Sequence, residues 1–152
     1  MRVMVVYDSV RGNTQAIAEA IAAALPGGVV ALAVSEAVPE SLETADLLMI
    51  GSPTHGAMPT EAMQSLLERI SPPKRGGRVA AFDTRLTWPF LAKWGGFAAD
   101  KIALNLSGKG WELATAPAGF YVSGLLRFRL KAGQVERAET WARSVLAAVE
   151  RE

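Results

Sequence analysis

Short, continuous apolar runs alternate along this chain with longer stretches of helical periodicity. The runs lie at residues 3–7, 29–34, 47–50, 79–82 and 111–115, the last resuming at 120–122. Runs that do not alternate with polar residues are typical of strands buried on both faces, as in a parallel sheet covered by helices. Pro117 interrupts the last run, which favours an edge strand with a break.

Four stretches between these runs have the spacing of amphipathic helices. Their apolar positions span residues 17–25, 63–70, 98–106 and 138–149. In the second stretch, apolar residues at positions 63, 66, 67 and 70 follow the i, i+3, i+4, i+7 pattern, and Thr60 is the predicted N-cap. Gly and Pro residues end the first two helices, and glycines end the third.

The resulting order of elements is β-α-β-β-α-β-α-β-α. Right-handed crossovers between such strands build a doubly wound α/β fold, a five-stranded parallel sheet with helices on both faces. Ligands in such sheets bind outside the carboxyl ends of the strands, where the strand order reverses. We therefore expect the functional residues in the loops after strands one, three and four.

Composition narrows the possible functions. The 152 residues predict a single domain, 1–152, and 50% hydrophobic against 20% charged residues excludes a disordered chain. A net charge of +1 gives no reason to expect nucleic acid as a partner. Without cysteine there is no disulfide, thiol or iron–sulfur chemistry, and a single histidine argues against zinc. No apolar run approaches the ~18 residues of a membrane span, so we expect a cytoplasmic protein whose redox chemistry would need a bound cofactor.

The loop after strand one has the features of an anion site. It offers hydroxyl groups at Ser9 and Thr14, a flexible Gly12 and an amide at Asn13, where a helix begins. Unpaired backbone N–H groups and the helix dipole favour a phosphate at such a place. Neither the G-x-G-x-x-G fingerprint nor the G-x-x-x-x-G-K-[ST] loop is present. The alternative is an ordinary polar turn in which Asn13 or Thr14 only caps the helix.

The segment Ser9-Val10-Arg11-Gly12-Asn13-Thr14 resembles the phosphate-binding loop of flavodoxins, usually written S/T-x-T-G-N-T. Five of the six positions are compatible with that pattern. Arg11 replaces the small hydroxyl residue of the family, which removes one side-chain hydrogen bond and adds a charge that can contact a phosphate. The resemblance implies that all six residues bind the cofactor.

The loop after strand three strengthens this resemblance. Its sequence, Gly51-Ser52-Pro53-Thr54-His55-Gly56, is similar to the G-S-P-T-[YH]-G loop that lies along the flavin ring in flavodoxin-like proteins. The resemblance implies ring contacts from Pro53, Thr54, His55 and Gly56. For His55 alone, the alternative is a solvated loop histidine without a role.

The loop after strand four supplies the remaining candidates. Flavodoxin-like proteins cover the outer flavin face from this loop, often with an aromatic side chain. Here Trp88, Phe90 and Trp94 are each able to stack on the ring, or to pack against the following helix instead. The resemblance implies cofactor contacts from Asp83, Thr84, Arg85 and Trp88. Positive charge at Arg11 and Arg85 would favour an anionic reduced flavin.

The resemblance covers essentially the whole chain and is to the short type of flavodoxin. It implies the strand order 2-1-3-4-5, FMN as the cofactor, and electron transfer with a redox partner protein or reductase. Two other readings stay open: an FMN-dependent NAD(P)H:quinone-type oxidoreductase, and a flavin-free interaction module, which Arg11 keeps under consideration. The nearly neutral charge departs from the acidic character of many flavodoxins, so docking through a broad acidic face is not expected.

Overall fold

The computed structural model describes residues 1–87, 95–124 and 127–151 of the chain. The helices are α1 (Asn13–Ala24), α2 (Pro39–Leu42), α3 (Glu61–Arg69), α4 (Ala98–Ser107) and α5 (Gln134–Glu150). The strands are β1 (Val3–Tyr7), β2 (Ala31–Ala33), β3 (Leu47–Pro53), β4 (Arg78–Leu86), β5 (Glu112–Leu113), β6 (Ala118–Ser123) and β7 (Arg129–Leu130). A 3-10 turn, Val34–Glu36, follows β2.

The strands form one sheet in the order β2-β1-β3-β4-β6-β7, with β5 also paired to β4. The predicted order 2-1-3-4-5 is confirmed, because β5 and β6 are two pieces of the expected fifth strand and both run parallel to β4. The predicted count of five strands is wrong. The break before β6 divides the fifth strand, and β7 adds a short antiparallel strand beside β6, so the described residues hold seven strands.

Both faces of the sheet are covered, as the unbroken apolar runs predicted. Successive side chains of a strand point to opposite faces. In β1, Val5 packs into the cluster formed with α1 and α5, while Val6 packs into the cluster formed with α3 and α4. Both valines are fully buried.

Local signals at the ends of elements explain which boundaries were predicted correctly. The hydroxyl of Thr60 accepts a hydrogen bond from the backbone N–H of Met63 at 3.2 Å, so Thr60 is the N-cap of α3, as expected. The second strand is shorter than its apolar run, since Val30 is 70% exposed and lies outside β2. The four-residue helix α2 has too few positions to show helical periodicity and was not predicted.

Candidate functional site

The predicted loops meet at one edge of the sheet, around a cavity of about 210 Å³ that we call the cleft. It lies where the parallel strands β1, β3, β4 and β6 end. Its lining residues are Val10, Arg11, Asn13, Thr14, Pro53, Thr54, His55, Thr84, Arg85, Leu86, Val122 and Phe128. The first nine of these were predicted from the sequence, and the last three were not.

The loop after β1 is closed by the side chain of Ser9. Its Oγ accepts hydrogen bonds from the backbone N–H of Gly12 at 3.1 Å and of Gln15 at 3.3 Å. Gly12 has a φ of +88°, a left-handed conformation that suits glycine. Among the described residues, the backbone N–H groups of Asn13 and Thr14 have no acceptor, as expected in the first turn of a helix. Free donors of this kind, at the positive end of a helix dipole, are able to bind an anion.

Phe128 holds the same loop from the other side. The Asn13 side chain donates a hydrogen bond from Nδ2 to the Phe128 carbonyl at 2.7 Å, and the Arg11 guanidinium lies 4.1 Å from the centre of the Phe128 ring. A cation over an aromatic face at this distance is attracted by the ring. Phe128 was missed from the sequence, although its position between Arg127 and Arg129 marks an aromatic residue in a basic segment.

Thr14 and Thr84 join two of the predicted loops in the interior. Their hydroxyl oxygens are 2.8 Å apart, and the two side chains are 1% and 4% exposed. The hydrogen bond fixes the start of α1 against the end of β4.

Thr54 joins the loop after β3 to its neighbours. Its backbone N–H donates to the carbonyl of Thr84 at 3.0 Å, and its Oγ1 accepts from the N–H of Ala98 at 2.9 Å. That second bond satisfies a donor at the start of α4. The loop beside the cleft is therefore held by β4 and α4 together.

A tight turn follows Thr54. The backbone of His55 and Met58 exchanges two hydrogen bonds, at 2.9 and 3.0 Å. Gly56 and Ala57, between them, have φ values of +56° and +67°. Two successive positive φ values are typical of a type I′ turn, which Ala57 adopts at a steric cost. The turn presents the exposed His55 side chain at the cleft.

Asp83 and Arg85 form an ion pair at the end of β4. Arg85 donates from Nε and from Nη2 to the two carboxylate oxygens of Asp83, at 2.7 and 2.8 Å, and the Asp83 side chain is fully buried. The N–H of Ala99 donates a third bond, at 2.9 Å. Burial raises the pKa of Asp83 from its usual value, and Arg85 opposes that shift.

Two further residues hold the Arg85 guanidinium in place. It lies 3.6 Å from the centre of the Phe97 ring. It also occupies the space above Gly119 of β6, where an added Cβ would be 2.1 Å from Nε. The Arg85 charge is therefore paired with the buried carboxylate of Asp83, and its predicted effect on a reduced flavin remains a prediction.

Some predicted site residues do not line the cleft. Ser9 and Gly12 shape the loop after β1, Gly56 shapes the turn after β3, and Asp83 is covered by Arg85. Trp88, like Phe90 and Trp94, lies outside the described residues, so the predicted stacking remains a prediction.

Neither a metal-binding cluster nor a membrane-spanning helix is found in the part of the chain that the structure describes. No group of three or more His, Cys, Asp or Glu side chains in those ranges is placed to hold a metal ion. No helix there is long and apolar enough to cross a membrane.

A family model for the flavodoxin domain matches residues 4–85, which is more than half of the chain. This chain belongs to the flavodoxin domain family. The matched range includes the loop after β1, the loop after β3, and strand β4 as far as Arg85. No curated protein sequence matches the chain.

Solved flavodoxin structures share the fold over the full chain. A flavodoxin from Archaea is 21% identical with a TM-score of 0.77, covering 99% of this chain and 99% of that one. Oxidised flavodoxin 2 from Bacillus cereus is 22% identical with a TM-score of 0.76, covering 97% and 99%. Rubredoxin oxygen:oxidoreductase from Desulfovibrio gigas is 18% identical with a TM-score of 0.75, covering 99% of this chain but 36% of that one. At these identities the likeness establishes the flavodoxin-like fold.

Proposed function

We propose that this protein binds FMN in the cleft and carries electrons between redox partners in the cytoplasm. The observation that carries the proposal is the arrangement of the cleft itself. An anion site at the start of α1 opens into the same cavity as the turn after β3 and the end of β4. A phosphate and a flat ring joined by a short chain need these two kinds of surface side by side.

The phosphate end fits a single phosphate monoester. The free backbone N–H groups of Asn13 and Thr14 would donate to one anion, and Arg11 adds a positive charge at the cleft. The Arg11 guanidinium is also oriented by the Phe128 ring. Because the loop has one such site and no dinucleotide fingerprint, FMN suits it better than FAD.

The ring end combines apolar and polar groups. Pro53, Leu86 and Val122 line it, and Thr54 is fixed by hydrogen bonds to Thr84 and Ala98. The fixed backbone means that a bound ring would meet a surface that needs little rearrangement, which favours affinity. When bound, FMN would supply the one- and two-electron chemistry, while the protein supplies position and electrostatics.

A carrier is favoured over a substrate-converting oxidoreductase by the family to which the chain belongs and by neighbours that are themselves named flavodoxins. The test starts from the absorbance spectrum of purified protein, with and without added FMN. A flavin spectrum that stays with the protein through gel filtration is expected. The same holoprotein should then accept electrons from a chemical reductant and turn over NAD(P)H with quinone only slowly.

Two results would contradict the proposal. Protein that neither retains nor takes up FMN is not a flavoprotein, and the flavin-free interaction module becomes the better reading. Rapid steady-state oxidation of NAD(P)H with quinone would instead identify an oxidoreductase.

A further inference from the structure

Four exposed basic residues lie on the two segments that border one side of the cleft, the loop after β1 and residues 127–131. They are Arg11, Arg127, Arg129 and Lys131, which we call the basic rim. Among the described residues, no carboxylate forms an ion pair with any of them. In the holoprotein the phosphate would engage Arg11, which leaves Arg127, Arg129 and Lys131 as the rim charges that face solvent.

The basic rim is built on a fixed scaffold rather than on a free loop. Strand β7 pairs with β6, with Ser123 opposite Arg129, and the N–H of Lys131 donates to the Tyr121 carbonyl at 2.9 Å. Phe128, between two rim arginines, lines the cleft and stacks on Arg11. The segment that carries Arg127, Arg129 and Lys131 is thus held next to the cleft.

Acidic residues are absent from the segments that carry the rim and the turn beside it. Residues 9–14, 53–59 and 118–135 contain no Asp or Glu, although the whole chain holds 15 of them against 16 Lys and Arg. At the end of β4, Asp83 is buried and paired with Arg85. Asp8 and Asp100 lie at the same edge of the sheet, where they accept hydrogen bonds from the Thr60 hydroxyl and the Phe97 N–H. Their two negative charges offset only part of the four positive charges of the rim. A chain of nearly zero net charge therefore concentrates positive charge beside its cleft.

We propose that the basic rim is the docking surface for a redox partner protein with an acidic face. The inference rests on the proposed function, since a rim next to bound flavin is where an electron would enter or leave. Complementary charge raises association rates and orients the encounter, and it acts most strongly at low ionic strength. A protein is favoured over nucleic acid because the rim has few charges and borders the cleft, in a chain with a net charge of only +1.

Small oxidants of opposite charge test the sign of the field at the cleft. Fully reduced holoprotein would be reoxidised by ferricyanide, an anion, and by tris(phenanthroline)cobalt(III), a cation, across a range of ionic strengths. The chain has a net charge of +1, and the phosphate of bound FMN adds about −2. Net charge alone therefore predicts a rate with ferricyanide that rises with salt.

The basic rim predicts the reverse. The ferricyanide rate should fall by a factor of about 3 or more between low and physiological salt, as screening removes the attraction. The rate with the cobalt complex should rise over the same range. A ferricyanide rate that rises or does not change with salt would overturn the proposal.

A charge-matched pair of triple variants assigns the effect to the rim. Replacing Arg127, Arg129 and Lys131 by Gln should abolish the salt dependence seen with ferricyanide. Replacing Lys74, Arg75 and Arg151 by Gln removes the same charge at the opposite edge of the sheet and should leave it in place. Equal effects of the two variants would contradict the assignment. Each variant is first checked for its flavin spectrum, so a failure to bind FMN is recognised separately as a failure of the proposed function.

A macromolecular probe then tests the class of partner. Holoprotein labelled with nitrogen-15 would be titrated with a decamer of glutamate, and separately with a short DNA duplex, at the same low salt. We expect the peptide to shift the amide signals of Arg11 and of residues 127–131. Peptide shifts located elsewhere would overturn the proposal, as would tighter binding of the duplex at the rim.

Discussion

The side-chain hydroxyl oxygens of Thr14 and Thr84 lie 2.8 Å apart in the interior, 70 residues apart in the sequence. This one contact joins the first turn of α1 to the end of β4, which are two of the three loops proposed to hold the cofactor. Both residues also line the cleft. The bond therefore sets the distance between the proposed phosphate end and the proposed ring end of the cleft.

The Thr14–Thr84 bond should be visible in stability measurements. Thr14→Val keeps the shape of the side chain but leaves the Thr84 hydroxyl buried without its partner, which costs about 1–3 kcal/mol. Thr84→Val should cost a similar amount. The double variant should cost less than the sum, because no unpaired hydroxyl remains. Urea unfolding of the four apo-proteins completes the cycle, and strictly additive costs would show that the bond contributes nothing.

The buried Asp83 predicts a pH dependence of stability with a definite sign. Burial raises the pKa of Asp83, so the folded protein holds this proton more readily than the unfolded chain does. The stability contributed by this group is fully present below the unfolded pKa of about 3.9 and is lost as the pH rises through the folded pKa.

Asp83→Asn cannot titrate and isolates this effect. The free energy of unfolding of the wild type, relative to Asp83→Asn, should fall as the pH rises through that window. Urea unfolding at a series of pH values from about 3.5 to 7 measures the difference. Glu68→Gln, an exposed change of the same kind, is the control. A difference that stays constant or grows with pH would show that the Arg85 pair outweighs burial.

The position of the Arg85 guanidinium should allow only glycine at position 119. In Gly119→Ala the new Cβ would meet Arg85 Nε at 2.1 Å, so the guanidinium would have to leave Asp83 and the Phe97 ring. We expect a loss of about 1–3 kcal/mol in the free energy of unfolding. Gly108→Ala adds the same methyl group at 3.4 Å from the nearest atoms and should change stability by less than about 0.5 kcal/mol. Equal effects of the two substitutions would refute this packing argument.

Arg11 should contribute to the affinity for phosphate and not for the ring. Arg11→Gln removes a charge worth about 1 kcal/mol at a solvated site, which corresponds to about a fivefold weaker affinity for FMN. Riboflavin affinity should not change. Arg143→Gln on α5 serves as the control for net charge. If the substitution weakens riboflavin binding equally, Arg11 supports the fold of the loop and does not contact the phosphate.

Much of the fold was predictable because it depends on local signals. Buried strands leave unbroken apolar runs, and the capping hydroxyl of Thr60 directly precedes the helix that it caps. The short elements β7 and α2, with two and four residues, leave no periodic pattern to find. In β5 and β6 the interruption was visible in the sequence at Pro117, but the division into two strands was not.

The candidate site was predictable only as far as its loops. Loop positions follow from the ends of strands, whereas partners depend on sheet register. Arg85 lies over Gly119 because Asp83 is opposite Gly119 in the pairing of β4 with β6. Phe128 reaches the loop after β1 across 115 positions of sequence, through its bond with Asn13. Neither relationship follows from composition or from spacing along the chain.

The central claim is that the cleft holds a flavin by its phosphate. Its most direct test is the titration of apo-protein with FMN and with riboflavin, in which the quenching of flavin fluorescence measures binding. The backbone N–H groups of Asn13 and Thr14 would each donate a hydrogen bond to the charged phosphate, worth about 1.5–3 kcal/mol. Together these two bonds predict an affinity for FMN at least about 100-fold higher than that for riboflavin. Equal affinities for the two flavins, or no binding of either, would contradict the account.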